Sequence, residues 1–566
     1  MKTDVTLKIA GAAGEGIQTI GDLLSEVCHH SGLFTFSVDD FESRVRGGHN
    51  FNLLRISDKE VAAPGNRLDI LVCIDKDAYD LHKHELRSGG IVIVNADKAG
   101  TEDKTRFDIP LKKLAEEAGG KITANTVAAG AVISMLGTPF SLLADILKKR
   151  FAAKGDKIVS LNMAAAQKGF DAAKGLRVDT GFTWEAKKSN NVILSGAKAA
   201  ALGALAADCR FFPFYPMSPA TGVITNVVSY TKKLPVVVEQ AEDEIAAVIM
   251  AIGASFAGVR AMTATSGGGF CLMTEGLGLA AMTETPLVIL NAQRPGPATG
   301  LPTRTGQADL LFSIHASQDD FPRFVFAPGT PVETYETMKR AFHLSEKYQV
   351  PAIVLLDQFL ADFRMTEVNT LTVDPEIERF YAQNNSGDDD NPYLRYAPAQ
   401  DGVSPQRLPC SGPGLVRITG NEHDPEGHIS ENAANRIAMT QKRAAKLPAM
   451  IKEMAPPILV NPTAPVFLVG WGSTKGNILE AVERLNAQGI EVGAAVFKDM
   501  WPMDRQVVEK ALTGKQLIMV EQNASGQLGR LLAQEARISA FDTILKYDGR
   551  PFFPDYIVQK AKELVK

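Results

Sequence analysis

The sequence predicts a multidomain α/β protein with parallel-sheet domains. Three observations predict it. Short apolar runs alternate with apolar-periodic helical stretches, the pattern of parallel strands covered by helices on both faces. The 566 residues suffice for three or four domains of about 150 residues each. The balance of 45% hydrophobic and 22% charged residues is that of packed globular chains, not of disordered or fibrous ones.

The first block runs to about residue 185. The apolar run Val5 to Ala10 meets the turn GAAGEG and an apolar-periodic helix from Ile17. Asp69 to Ile74 and Gly90 to Val94 read as further buried strands, so a parallel sheet is expected. The polar stretch WEAKKSNN, 184–191, reads as a linker.

The second block, 190–365, is regular. Strands are expected at Val192–Leu194, Phe211–Tyr215, Val236–Glu239, Arg260–Ala264, Leu287–Asn291 and Val350–Leu356. Helices are expected at Ala197–Asp208, Thr221–Tyr230, Asp243–Ala257 and from Phe270, the last after an SGGG loop. Residues 366–455 break the pattern. NNSGDDDNP, CSGPG and NEHDPEGH are turn-forming clusters, so this part is expected to be an extended connector or an arm packed on a partner. The last block, 456–566, repeats strand, glycine turn and helix in VFLVGWGSTKGN and LIMVEQNASGQLG.

Composition excludes several functions. The net charge of −5 gives no electrostatic case for nucleic acid. The uncharged stretches 122–144, 211–231 and 454–474 are broken by prolines or polar residues and are not expected to span a bilayer. MKTDVTLKIA lacks the apolar core of a signal peptide, and a cytoplasmic location is expected. Cys28, Cys73, Cys209, Cys271 and Cys410 lie far apart, without the close spacing of ferredoxin-type cluster ligands.

Ligands of open parallel sheets gather outside the carboxyl ends of the strands. Four successive strand ends of the second block carry YPMSPAT, EQAEDE, TSGGG and NAQRPGPATGLPTRT. Any one of these could be ordinary turn chemistry. Together they supply hydroxyls, carboxylates, a glycine turn and two arginines, which a scaffold does not need. Among Glu239, Glu242, Asp243 and Glu244, Asp243 is placed to cap the next helix. Glu244 leads straight into IAAVIMAIGASFAGV, which has no charge, so it is expected to be partly desolvated and suited to proton transfer. In the first block, GAAGEG reads GxxGxG rather than GxGxxG, which disfavours a dinucleotide site.

These motifs resemble the α subunit of the 2-oxoacid:ferredoxin oxidoreductases. YPMSPAT, EQAEDEIAAVIMAIGASFAG, MTATSGGGFCLM and NAQRPGPATGLPTRTGQADL carry the resemblance in order. GAAGEGIQTIGDLL and FESRVRGGHNFNLLRIS resemble the family's γ domain, fused ahead of the α part. The resemblance implies a thiamine diphosphate (TPP) pyrimidine-type domain at 190–365 and a transketolase C-terminal-like domain at 456–566. It implies CoA-dependent oxidative decarboxylation of a 2-oxoacid with ferredoxin reduction, reversible with a strong enough donor. The connector DGVSPQRLPCSGPGLVRITGNEHDPEGHISE is similar to the 2-oxoglutarate type, which would make succinyl-CoA.

The resemblance also implies roles. Glu244 would hydrogen-bond N1′ of the cofactor's pyrimidine. Ser218, Thr221 and Arg294 or Arg304 would hold the substrate carboxylate. Tyr215, Pro216, Ser266 and Gly267 would line the cofactor. Arg44, Arg46 and His49 in RVRGGHN would meet CoA or a subunit contact. The sequence contains no GDG motif to hold the diphosphate through Mg²⁺. A β subunit carrying that site and a [4Fe-4S] cluster is therefore expected, in a dimer of αβ heterodimers. The rival readings are a broad-specificity pyruvate/2-oxobutyrate enzyme, an NAD-dependent dehydrogenase, and a binding subunit without catalytic residues.

Overall fold

A computed structural model describes residues 3–41, 48–96, 105–382, 393–412 and 415–565. They form two compact units. The first comprises Met1–Leu194, Asp362–Asn369 and Phe553–Asp555, and the second the remainder.

An eight-stranded sheet organises the first unit. Its order is Arg106–Asp108, Leu86–Val94, Leu68–Cys73, Asp4–Ala12, His49–Ser57, Phe34–Phe41, Arg364–Val368, Asn191–Ser195. Asp4–Ala12 runs parallel to Leu68–Cys73 (Leu7 opposite Ile70) and antiparallel to His49–Ser57 (Ile9 opposite Asn52). The sheet is thus mixed, where an all-parallel one was expected. Phe34–Phe41 and His49–Ser57 follow each other too closely for a crossover, so they pair antiparallel, Val38 opposite Leu53. The helix Ile17–His30 packs Ile20, Leu23, Leu24 and Val27 on this sheet, as its apolar spacing predicts.

The strand expected to open the second block instead lies at the edge of the first unit's sheet, as Asn191–Ser195. Its neighbour Arg364–Val368 explains why. Arg364 Nη1 stands 2.8 Å from Asp39 Oδ2, and the Thr366 and Thr35 hydroxyls are 2.9 Å apart. These polar contacts tie a late segment of chain to an early strand.

Among the described residues the second unit holds two five-stranded sheets and a separate strand pair. One has the order Met262–Thr265, Leu287–Gln293, Pro351–Asp357, Phe324–Phe326, Asp499–Trp501, parallel except for its last strand. Phe211–Phe214 and Val237–Gln240 form a parallel pair, linked to it by the bridge between Phe211 and Ala261. The other has the order Ile458–Val460, Val492–Phe497, Val466–Trp471, Gln516–Glu521, Asp542–Leu545. One apolar core runs through both, from Val248, Ile289 and Ile353 to Phe467, Trp471 and Leu531.

The segment 366–455 is less extended than expected. It includes the helices Ala433–Ala444 and Leu447–Glu453. Its cations turn inward: Lys442 Nζ and Lys446 Nζ stand 2.7 and 2.6 Å from the two carboxylate oxygens of buried Glu284. Arg395 donates to the Glu284 carbonyl at 2.7 Å and to Gln349 Oε1 at 3.0 Å. Burial alone would raise the Glu284 pKa, but Lys446, Lys442 and Arg395 together hold it below the usual carboxylate range.

Candidate active site

Glu244 is the first residue of the helix Glu244–Phe256. Asp243 caps that helix, its Oδ1 accepting from Ala246 N–H at 2.7 Å. The cap fixes the backbone and leaves the Glu244 side chain to turn inward, where it is 3% exposed. Its Oε1 is buried with no hydrogen-bond partner among the described residues. An unsatisfied buried oxygen is costly, which is the condition of a group waiting for a ligand donor. Glu239 and Glu242 are exposed, so the structure separates Glu244 from its neighbours in EQAEDE.

The glycine turn makes the room. The helix begins at Gly267, earlier than the expected Phe270, so SGGG supplies the cap residue Ser266 and the first turn. A Cβ on Gly269 would run into the Thr265 hydroxyl and stand 2.8 Å from Glu244 Cγ and Oε1. Only glycine lets Glu244 pack there. Ser266 is fully buried, and its Oγ also has no partner among the described residues.

YPMSPAT borders the same region. Thr265 Oγ1 is 3.9 Å from Met217 Sδ. Tyr215 and Pro216 are exposed, and Ser218 and Thr221 half-buried, with Thr221 opening the helix Thr221–Tyr230. Arg294 Nη1 donates to the Ser218 carbonyl at 2.6 Å, which brings these two expected substrate residues together. Partial burial lowers the Arg294 pKa. Arg304 goes elsewhere. Its stem packs on Gly549, and Thr305 N–H donates to the Gly549 carbonyl at 3.3 Å. The two arginines of one loop are thus set against different elements.

Sequence reasoning passed over a buried polar chain beside this site. Asn291 Nδ2 donates to Asp309 Oδ2 at 3.1 Å, and Asp309 N–H to Gln293 Oε1 at 3.0 Å. Gln307 donates to the Trp471 carbonyl at 2.9 Å, and Asn523 Nδ2 to the Gln307 carbonyl at 3.0 Å. The signal was available: NAQ at a strand's carboxyl end and the run GQAD carry four polar residues where turns need none.

In the first unit, Arg44 and Arg46 lie outside the described residues. His49 opens the strand His49–Ser57, and its Nε2 is 2.7 Å from Nε2 of His82. His82 Nδ1 is 2.5 Å from Glu85 Oε1, and Lys8 Nζ 2.5 Å from Glu85 Oε2. These contacts hold the Glu85 carboxyl down to about 2, against the upward push of its burial. Cys28, Cys73 and Cys209 are buried, and Cys271 and Cys410 exposed. Among the described residues no group of three His, Cys, Asp or Glu could hold a metal ion, and no helix is long and apolar enough to cross a membrane.

The second unit's fold is that of a thiamine diphosphate-binding α/β domain joined to a transketolase C-terminal domain. Residues 202–442 match the family model "Pyruvate flavodoxin/ferredoxin oxidoreductase, thiamine diphosphate-binding". Residues 6–172 match "Pyruvate ferredoxin/flavodoxin oxidoreductase", and 458–565 "Transketolase, C-terminal domain". The chain is 31% identical to the 2-oxoacid:ferredoxin oxidoreductase subunit alpha of Saccharolobus solfataricus, over 99% of this chain and 98% of the relative. It is 28% identical to the 2-oxoglutarate oxidoreductase subunit KorA of Mycobacterium tuberculosis, over 98% and 90%. It is also similar to the solved 2-oxoglutarate:ferredoxin oxidoreductase of Magnetococcus marinus, with 2-oxoglutarate, coenzyme A and succinyl-CoA bound. The TM-score is 0.91 and the identity 32%, over the whole of both chains. The chain belongs to the 2-oxoacid:ferredoxin oxidoreductase α-subunit family.

Proposed function

We propose that this chain is the α subunit of a 2-oxoglutarate:ferredoxin oxidoreductase, converting 2-oxoglutarate and CoA to succinyl-CoA and CO2 with reduction of ferredoxin. The observation that carries the reading is the buried, unpartnered Oε1 of Glu244 under Gly269. The residues fit TPP, since a pyrimidine nitrogen placed there would satisfy that oxygen. When bound, the cofactor would supply the nucleophilic carbon that this chemistry at a 2-keto group needs.

Glu244 would hold N1′ of the pyrimidine through a proton shared with its buried carboxyl. Ser266 offers its buried hydroxyl, with Tyr215, Pro216 and Gly267 lining the cleft. Arg294, Ser218 and Thr221 bind the substrate's 1-carboxylate, the arginine by a charge-assisted pair. Either Arg304, the second cation of the loop, or a lysine or histidine of the partner subunit would hold the distal carboxylate. The 2-oxoglutarate assignment is supported by the relatives named KorA and by the Magnetococcus structure. A pocket that pairs a distal carboxylate leaves buried donors unpaired with pyruvate, which should discriminate strongly.

A partner β subunit supplies Mg²⁺, the diphosphate site and a [4Fe-4S] cluster, in a cytoplasmic dimer of αβ heterodimers. This is supported by the absence of GDG from the sequence. It is supported too by the apolar side chains Ile245, Ile249 and Met250, which the Glu244 helix leaves exposed. We assign residues 1–185, with Arg44, Arg46 and His49, to the CoA region, 190–365 to cofactor and substrate, 366–455 to a connector, and 456–566 to the transketolase-like domain. With a sufficiently reducing donor the same site would run the carboxylation.

The test is kcat/KM for 2-oxoglutarate, pyruvate and 2-oxobutyrate with the reconstituted complex, CoA and viologen. A clear preference for 2-oxoglutarate is expected. Equal values would make this a broad-specificity 2-oxoacid enzyme.

A further inference from the structure

We propose that Asp309 is a positioning residue of this active site: its carboxyl, packed on Gly267 and held by Asn291, fixes the turn Ser266–Gly269 against which Glu244 is set. The proposal rests on the reading of Glu244 as the cofactor's acid.

Asp309 ends the long loop that carries both arginines and occupies the cap position of the helix Leu310–His315. An aspartate there ordinarily accepts a bond from a backbone N–H two or three residues on. This one makes no such bond. Gln527 does the work instead, its Oε1 accepting from Leu311 N–H at 3.0 Å while its Nε2 donates to the Ala308 carbonyl at 2.6 Å. The Asp309 carboxyl is turned the other way, to Asn291 Nδ2 at 3.1 Å and onto Gly267, where a Cβ would stand 2.6 Å from Oδ2. Its backbone is held from the other side by Gln293.

The register explains what this contact controls. Asn291 lies opposite Thr265, the last residue of the strand that leads into Ser266. Asp309 therefore meets the glycine turn at residue 267, and Glu244 meets the same turn at residue 269. A carboxyl on one side and the reactive acid on the other leave the turn little freedom to shift. Closing a loop needs no carboxyl packed on a glycine. Ser266 Oγ and Asn291 Oδ1 are both buried without partners among the described residues, so the turn lies beside polar atoms left for a ligand. Burial raises the Asp309 pKa, opposed by the Asn291 bond.

The experiment uses the complex copurified with its partner subunit, loaded with saturating TPP. Exchange of the cofactor's C2 proton is followed by NMR in wild type, Asp309→Ala, Asp309→Asn and Glu244→Gln. Misplacing a reacting geometry by about an ångström costs up to about 100-fold, so Asp309→Ala should slow exchange roughly 10- to 100-fold. Asp309→Asn, whose amide oxygen still accepts from Asn291, should recover most of the rate. If the Asp309→Ala complex does not assemble, Asn291→Ala removes the donor and carries the same expectation. Wild-type exchange in Asp309→Ala or Asn291→Ala with slow exchange in Glu244→Gln would overturn the proposal and leave the proposed function standing. So would equal slowing in Asp309→Asn and Asp309→Ala, which a positioning role does not predict. Wild-type exchange in Glu244→Gln would instead overturn the reading beneath it.

Discussion

Two buried glutamates lie forty positions apart in this chain and have opposite surroundings. Glu284 is 1% exposed and meets two lysine ammonium groups, with Arg395 on its carbonyl. Glu244 is 3% exposed, and one of its oxygens has no partner among the described residues. Burying a charge is expensive unless it is paired. The protein meets that cost for Glu284 with cations of its own from the connector. At Glu244 the cost is left open, to be met by what binds. Equal burial thus marks a structural joint in one place and, on the proposed reading, a reactive site in the other, and the lysine ion pairs tell them apart.

The comparison breaks most visibly on substitution. Glu244→Gln should lower 2-oxoacid-dependent viologen reduction by about 10²- to 10⁴-fold, the range typical of lost proton-transfer catalysis. The complex should still assemble, as read by gel filtration. Glu284→Ala should do the reverse. Removing one partner of a buried pair costs about 3–5 kcal/mol, because Lys442 and Lys446 are left buried and uncompensated. Urea unfolding should show the loss, while activity per folded complex stays near wild type. If Glu284→Ala loses activity without stability, the contrast between the two sites is wrong.

How far each site was legible follows from the same contrast. Glu244 stood out because a capping aspartate precedes it and an uncharged helix follows, two local signals. Glu284 lies in AMTETPL and reads as a turn residue, at a positive φ of 48°. Its lysine partners come about 160 residues later, in a segment where an extended connector was expected and helices are found. Asp309 was passed over because its partners Asn291 and Gln293 lie on a strand 16 to 18 residues earlier. Many strands and helices of the second block were legible because their periodicity is local, but the helix Pro331–Tyr348 and the strand Phe324–Phe326 were not anticipated. The mixed sheet of the first unit was not: Phe34–Phe41 and His49–Ser57 were not read as strands, and the pairing with Arg364–Val368 depends on contacts across more than three hundred residues.

Smaller changes sharpen the contrast. Gly269→Ala places a methyl on the Thr265 hydroxyl and on Glu244, and overpacking of this kind costs about 1–3 kcal/mol. C2-proton exchange should fall with it, whereas Gly489→Ala, strained only by its φ of 79° and in open space, should cost stability but leave exchange unchanged. Acid should act on Glu284. Its folded-state pKa is depressed below the ordinary 4.5, so below that pH the unfolded chain binds the proton that the native state refuses. The stability it contributes is complete above about pH 5 and is lost as pH falls. The acid limb of a stability profile should therefore flatten in Glu284→Gln relative to wild type.

The strand Arg364–Val368 has a consequence for how the molecule is made. It pairs with Phe34–Phe41 in the first unit's sheet, yet the ribosome adds it more than three hundred residues later. At about 5–20 residues per second, the first unit waits roughly 15–65 seconds with that edge strand uncovered. An unpaired edge is a template for other strands. The nascent chain therefore passes through a long interval in which its N-terminal sheet is nearly complete but still adhesive, and a pause before residue 368 would prolong that exposure.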